Sequence, residues 1–165
     1  MALTDPKLAY RTIRDAILTL LRDNKATLNE NLVLGTFQRE QEQIKSGDIV
    51  ILPTNNAIYP TILIKVARKD EDFNYLGRTG RKHPVITFRV YVIVKNVLNA
   101  KSESDNEIMQ VVSNMEAIFR DNIDIDGSVV LWGQVTSVEY GTTEVFENQY
   151  FDIAICDYVC VVELK

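Results

Sequence analysis

Two hydrophobic patterns with different periods adjoin each other within residues Val85–Asp121. Apolar and polar residues alternate along Ile86–Lys95, which predicts a strand packed on a core by one face only. Ser104 and Glu107 form a capping-box pattern beyond a turn at Asn96–Lys101, and they predict the start of a helix. Apolar residues at helical spacing follow: Ile108, Val111, Val112, Met115, Ile118 and Phe119. We therefore predict a strand and then a helix whose apolar stripe covers it.

The first half of the chain contains one clear helix and three strand signals. Residues 4–6 read Thr-Asp-Pro, which predicts a helix start, and the helical apolar stripe then ends near Asp23–Asn24. The segment Gln38–Lys45 is too polar to bury a face, so we predict an exposed loop or a single helical turn there. The predicted strands are Asn31–Phe37, Asp48–Leu52 and Tyr59–Arg68.

The end of the chain predicts two further strands, Val129–Tyr140 and Gln149–Leu164, joined by a turn at Gly141–Asn148. Apolar residues occupy both faces of the last strand, which predicts burial on both sides, either centrally in the sheet or at a subunit contact. Cys156 and Cys160 lie on this strand about 13 Å apart. That separation is too long for a disulfide, so we expect reduced thiols that are buried or half-buried in the core and have no redox role.

The predicted order of elements, α-β-β-β-α-β-β, describes an α+β fold. We expect a mainly antiparallel sheet of four or five strands with two helices packed on it. The sequence contains no internal repeat, low-complexity segment or linker, which indicates a single domain over residues 1–165. Residues 69–84, between two predicted strands, form a long polar arm that we interpret as an extended hairpin or a flexible loop.

The chain has 165 residues, of which 46% are apolar and 25% are charged, the composition of an ordinary globular domain. No apolar run approaches the ~20 residues that a membrane helix needs, and the N-terminus shows no secretory signal. We therefore expect a protein made in the cytoplasm. The net charge of −5 argues against a general nucleic-acid binder, because such a protein needs a cationic surface to displace counterions from phosphates.

Asn122–Gly127 matches the start of an EF-hand calcium loop, with oxygen ligands at the first, third and fifth positions and glycine at the sixth. The twelfth position should supply a bidentate carboxylate, but it is Gly133. Strand-like sequence also follows Val129, where an EF-hand would continue as a helix. We therefore interpret this segment as an acidic turn and predict no metal site.

Residues 77–80 read GRTG, a GxxG sequence of the kind with which KH domains clamp a nucleic-acid backbone. The KH clamp joins two helices, whereas strand-like sequence lies on both sides of this one. Arg81, Lys82 and His83 make the segment basic, but the acidic residues at 70–72 nearly cancel that charge. We favour a solvated arm that contacts another protein, and nucleic-acid clamping is the alternative.

His83 is the sole histidine, so any mechanism that uses imidazole would have to use it. It precedes Pro84 in a polar loop without a serine or cysteine nucleophile motif, and no P-loop, dinucleotide fingerprint or HExxH sequence occurs. We therefore predict no enzyme activity and no cofactor. A small enzyme or ligand-binding domain with a pocket between helix and sheet is the other alternative.

A leading amphipathic helix through Leu21, a Pro-containing strand entry at Tyr59–Ile62 and the polar arm come first in the chain. The strand Thr87–Lys95, the helix Ile108–Phe119 and two closing strands follow. In this order of elements the chain resembles the tail terminator proteins of long-tailed bacteriophages, also called tail-completion or tail-to-head joining proteins. The resemblance covers nearly the whole chain and is one of pattern and architecture.

The resemblance implies a structural protein of the virion. Tail terminators form a ring, typically of six subunits, which caps the tail tube, ends its growth and joins it to the head. The implied partners are further copies of the chain, the tail-tube protein and a head-completion or connector protein. DNA would pass through the lumen without specific binding, which an acidic wall favours. Another neck or head-completion role is the alternative within this class.

The arm is the predicted contact with a neighbouring subunit or with the tail tube. Its basic half would pair with carboxylates on the neighbour, and such pairs set register and specificity more than affinity. The predicted contact residues are Asp70, Glu71, Asp72, Tyr75, Arg78, Arg81 and Lys82.

Overall fold

A computed structural model describes residues 6–48, 58–70, 84–96, 101–125, 130–146 and 149–162. These residues form one sheet and a layer of helices, which confirms the predicted α+β fold. The elements are α1 Pro6–Asp23, α2 Lys25–Leu28, α3 Glu40–Gln43, β1 Ile44–Ser46, β2 Thr61–Asp70, β3 Val85–Asn96, α4 Lys101–Asp121, β4 Val130–Phe146 and β5 Gln149–Val162.

The five described strands lie in the order β1-β2-β3-β5-β4. The short strand β1 runs parallel to β2, and every other neighbouring pair is antiparallel. The central strand β3 pairs with β5 without interruption from Val85↔Val161 to Asn96↔Tyr150. The last strand of the chain therefore lies inside the sheet, and β4 lies at one edge.

Helices α1, α2 and α4 pack on the same face of the sheet and enclose the main core. The predicted apolar face of the central strand is buried throughout, and so is the predicted stripe of the second long helix. Side chains from β5 complete this core: Ala154, Cys156, Tyr158, Cys160 and Val162. The βα unit is therefore confirmed in both its period and its packing.

The prediction that β3 buries only one face is wrong at one end of the strand. Tyr91 and Ile93 lie on the face opposite the helices, and each is at most 6% exposed. They belong to a second cluster, the outer cluster, formed by Leu63, Tyr91, Ile93, Phe151 and Ile153. None of the described helices contributes to it. Tyr59 packs against it, with its ring 4.9 Å from that of Phe151.

Residues 31–37, predicted as a strand, form a loop. The side chain of Asn29 closes this loop, because its amide donates to the Phe37 carbonyl at 3.1 Å and its oxygen accepts from the Phe37 N–H at 2.6 Å. Asn31 adopts a positive φ of 58°, which a strand does not allow and asparagine tolerates. Side-chain hydrogen bonds thus replace the expected strand ladder.

The segment Gln38–Lys45 contains the predicted helical turn, α3, but it does bury a side chain. Gln43 is fully buried and its amide is satisfied on all sides. Its Nε2 donates to the carbonyls of Thr36 and Pro60, and its Oε1 accepts from the N–H groups of Gln38 and Arg39, all at 2.8–3.1 Å. A polar residue can be buried at low cost when each of its donors and acceptors is paired.

Three further strand predictions differ from the structure. Residues Gly141–Phe146 extend β4, because they continue the ladder with β5 from Gly141↔Ile153 to Phe146↔Gln149. In the predicted strand Asp48–Leu52 only Asp48 lies within the described residues, and it follows β1 rather than starting a strand. β2 begins at Thr61 and continues to Asp70, so the first two residues of the predicted arm belong to a strand.

The strand glycine Gly133 lies directly against Tyr158 of the neighbouring strand β5. A Cβ at this position would lie 2.0 Å from the hydroxyl oxygen of Tyr158 and 2.6 Å from its Cζ. The Tyr158 ring has little freedom to move, because its centroid is 4.4 Å from that of Phe119 on α4. Gly133 is therefore required by the packing of its neighbour.

We predict that Gly133→Ala lowers the free energy of unfolding by about 1–3 kcal/mol, as overpacking of a core does. Gly141→Ala is the matched control in the same strand, since a Cβ there meets nothing within 4 Å. Urea denaturation of both variants measures the difference. Equal stabilities of the two variants would contradict the account of Gly133. Adding Tyr158→Phe to Gly133→Ala should restore part of the lost stability, because it removes the hydroxyl oxygen that lies closest to the new Cβ.

Candidate assembly surfaces

The face of the sheet opposite the helices, here called the open face, changes character along the strands. The outer cluster buries one end of it. A polar belt crosses the middle, where Lys65, Arg89, Asp157 and Ser137 are neighbours in register on four strands. At the other end lies an apolar row of Val85, Val161 and Trp132. The helices in the described part of the chain cover neither the belt nor the row.

Ion pairs and hydrogen bonds connect the side chains of the polar belt. The Arg89 Nε lies 3.2 Å from Asp157 Oδ1, and the Ser137 hydroxyl donates to Asp157 Oδ2 at 3.3 Å. Lys65 pairs with Asp48. Each carboxylate hydrogen-bonds its cation and so raises the pKa of Arg89 and of Lys65. Since these pairs are exposed to solvent, they contribute little to stability and leave the belt available for contacts.

The apolar row carries the sole tryptophan of the chain. Trp132 is 38% exposed and lies beside Val161. Val85 lies on the other side of Val161, and both valines are half-buried. The next row contains Val159, also half-buried, between Thr87 and Gln134. Partly exposed aromatic and branched side chains grouped on a flat sheet are typical of a surface that contacts another protein.

The ends of the predicted arm lie at the apolar row. Asp70, the last residue of β2, is opposite Val85, the first residue of β3. Pro84 is held to the end of β5, because its carbonyl accepts from the Val162 N–H at 3.0 Å. The described residues Asp70 and Pro84, which flank positions 71–83, therefore lie beside the row that contains Trp132.

A cleft of about 410 Å³ lies between the start of α4 and the edge strand β4. Met109 and Tyr140, about half exposed, flank it. Asp152 is buried at its wall and accepts a hydrogen bond of 2.8 Å from the Thr142 hydroxyl. The cleft thus combines apolar side chains with two carboxylates, those of Asp105 and Asp152.

Of the predicted contact residues, Asp70 lies within the described structure. It ends β2 and pairs with Arg68 on the same strand, with a distance of 2.8 Å from Nε to Oδ2. Glu71, Asp72, Tyr75, Arg78, Arg81 and Lys82 lie outside the described residues, as do the GxxG sequence at 77–80 and His83. Their predicted role stays a prediction.

The calcium-like segment lies only partly within the described structure. Asn122 and Asp124 follow α4 in a bend, whereas Asp126 and Gly127 lie outside the described residues. The twelfth loop position, Gly133, is inside β4 against Tyr158. No three His, Cys, Asp or Glu side chains come together as a metal site among the residues that the structure describes.

The two cysteine thiols are free and buried on the helix side of β5. Burial raises the pKa of Cys156 and of Cys160 to about 12. A thiol with so high a pKa is protonated at neutral pH, and only the thiolate is strongly nucleophilic. The cysteines therefore serve as core side chains, as the sequence predicted.

A buried carboxylate, which the sequence analysis assigned to a capping box, holds the loop at residues 29–37. α4 begins at Lys101, so Ser104 and Glu107 lie inside the helix and are buried. The Glu107 carboxylate accepts from the N–H groups of Val33 and Leu34 at 2.9–3.0 Å and of Gly35 at 3.4 Å. The capping-box prediction is therefore wrong.

The position of Glu107 on the helix could have signalled this role. Residues 104 and 107 continue the apolar stripe of α4 backwards, as four-residue steps from Ile108 and Val111 show. Asn114 lies on the same face, and its amide donates to the carbonyls of Leu28 and Glu30 at 3.0 and 2.9 Å. A polar residue on a core-facing stripe indicates a buried partner elsewhere in the chain.

The chain matches no family model and no curated protein. None of the helices in the described segments is long and apolar enough to cross a membrane. We therefore infer the function from the surfaces of the chain and from its resemblance in pattern.

We predict that Glu107→Gln destabilises the protein by about 1–3 kcal/mol. Glutamine keeps the shape but replaces one acceptor oxygen by an NH₂ group that faces N–H donors. Urea denaturation measures the loss, and hydrogen exchange should show faster exchange at residues 33–35. Glu116→Gln on the same helix is the control, because the half-buried Glu116 carboxylate pairs at 3.7 Å with Arg120, whose side chain is exposed. If both variants unfold alike, the anchoring role of Glu107 is refuted.

Proposed function

We propose that the protein is a structural component of a phage virion, a tail terminator that forms a ring on the tail tube and joins it to the head. The observation that carries the proposal is the uneven covering of the sheet. One face is enclosed by helices, whereas the other exposes the polar belt and the apolar row. A small domain with such a face suits repeated contacts with copies of itself and with neighbouring rings.

The described residues at the two ends of the arm, Asp70 and Pro84, support the same function. They adjoin the apolar row, so a neighbour bound there would meet Trp132 beside the start and the end of the arm. The predicted basic residues of the arm, Arg78, Arg81 and Lys82, would then reach carboxylates on that neighbour. A central apolar contact with a charged rim is the usual anatomy of a specific interface.

The charge of the chain is also suited to a DNA passage. Each subunit carries a net charge of −5, so a ring of several subunits forms a strongly acidic body. The lumen of such a ring would repel the phosphates of DNA and let the duplex slide through without specific binding. A head-completion protein would need an acidic lumen as well. It would differ from a tail terminator in binding the head rather than the tail tube.

Electron microscopy of negatively stained protein, with native mass measured on the same sample, tests the proposal. We expect closed rings with a hole wide enough for duplex DNA and a mass that is a multiple of 18.8 kDa. When only monomers form, binding to the tail-tube protein decides the question. A chain that neither forms rings nor binds tail tubes is not a tail terminator.

We predict that replacing residues 71–83 by Asn-Gly, which together with Pro84 makes a three-residue connection, leaves a folded monomer that cannot join its ring or tube. The fold should survive because Asp70 and Val85 are already opposite each other in an antiparallel pair, which a tight turn can connect. Thermal unfolding reports on the fold and native mass on assembly. Loss of the fold would show that the arm serves the core, and normal assembly would show that the arm makes no essential contact.

A further inference from the structure

The sheet has two edges with unpaired stretches among the described residues, and they differ in charge. β4 pairs with β5 alone, so its outer edge has no described partner. At the opposite edge, β1 covers only Ile62–Ile64 of β2. The following residues Lys65–Asp70 pair with β3 on their inner side and have no described strand on their outer side. A row of unpaired backbone donors and acceptors is a template for another strand.

The edge of β4 lacks the usual protection against strand addition over one segment. From Ser137 to Glu144 it pairs with β5 without a bulge, and this segment contains no proline, lysine or arginine. It carries two carboxylates, Glu139 and Glu144, and Glu139 is exposed. Tyr140 beside it is 53% exposed. A regular, acidic and partly apolar edge of eight residues can accept a complementary strand.

The segment of β2 that follows its pairing with β1 is complementary in charge to β4. Residues 65–70 read KVARKD, with three cations and one carboxylate, and all six are exposed. Lys65 and Arg68 already pair with Asp48 and Asp70, but these pairs are solvent-exposed and can share their cations with a further carboxylate. The segment is six residues long, against eight in the regular part of β4, and its pairing with β3 shifts register between Val66 and Arg68.

Strand directions also fit these two edges together. Since β2–β3, β3–β5 and β5–β4 are all antiparallel, β4 runs opposite to β2. Rotation about an axis along the strands keeps their directions, so β4 of one copy meets β2 of the next as an antiparallel pair. Two different patches related by a rotation form a heterologous interface, the kind that closes into a ring.

We propose that residues 137–144 of β4 pair with residues 65–70 of β2 in a second copy of the chain and so continue the sheet from subunit to subunit. The inference rests on the proposed ring and names its contact. Pairing of β4 with β4 is disfavoured, because it places acidic segments side by side and closes as a dimer.

A charge-reversal experiment tests the pairing. Glu139→Lys should raise the concentration needed for assembly roughly fivefold, since a like-charge cross-strand pair replaces an attractive one. Glu30→Lys makes the same change of charge on an exposed loop and should leave assembly unchanged. The double variant Glu139→Lys with Arg68→Glu should recover assembly. Native mass over a range of concentrations gives all four results, including that of the wild type.

Hydrogen exchange on the wild type supplies the second readout. We expect peptides that cover residues 65–70 and 137–144 to gain protection on assembly. Rings without this protection overturn the edge pairing while the proposed function stands. A wild type that stays monomeric at every concentration also overturns the edge pairing. Binding to the tail-tube protein then tests the proposed function separately. Equal effects of Glu139→Lys and Glu30→Lys likewise refute the pairing.

Discussion

A single layer of helices on a five-stranded sheet leaves one face of that sheet without a cover from the described helices, and the rest of the structure depends on this constraint. The hydrophobic effect drives apolar side chains on both faces out of water, but α1, α2 and α4 all lie on one side. On the other side the outer cluster buries one end of the strands, and the end that carries Trp132 stays half-exposed. A sheet of this kind suits a protein that completes its burial by contact with neighbours.

The covered face depends on a few buried polar side chains that fix the long connection between α1 and β2. Gln43 joins α3 to the loop before it and to Pro60, and Glu107 and Asn114 hold residues 28–35 against α4. The Arg22 guanidinium adds a link from α1 to β1, since it donates to the Ile44 carbonyl at 2.6 and 3.0 Å. These satisfied groups position a segment whose described helices and strand are only three or four residues long.

Periodicity predicted the elements whose burial is regular. The alternation of β3, the stripe of α4 and the helix α1 were correct because each repeats its apolar positions over several turns or pairs. The segment 29–48 was not predictable in this way, because its order comes from side-chain hydrogen bonds to residues as far away as Glu107. The turn predicted at Gly141 failed because polar residues can continue an exposed edge strand as readily as form a turn.

The surfaces were predicted less completely than the fold. The arm could be predicted as a contact because its charged residues are neighbours in the sequence. The residues of the polar belt and of the apolar row become neighbours only through the register of β2, β3, β5 and β4. Trp132 was predicted to lie in a strand, but its position beside Val161 depends on a bulge in β4 between Val130 and Trp132. The local sequence does not predict this bulge. Residues distant in the chain become one surface only after the strands have paired.

The central claim is that the end of the open face around Trp132 is buried when the protein assembles. Because Trp132 is the sole tryptophan, acrylamide quenching of its fluorescence reports on this end alone. We predict easy quenching in the dilute monomer, as its 38% exposure implies, and strong protection in the ring or on the tail tube. Equal quenching in the free and assembled protein would contradict the claim and place the contact elsewhere.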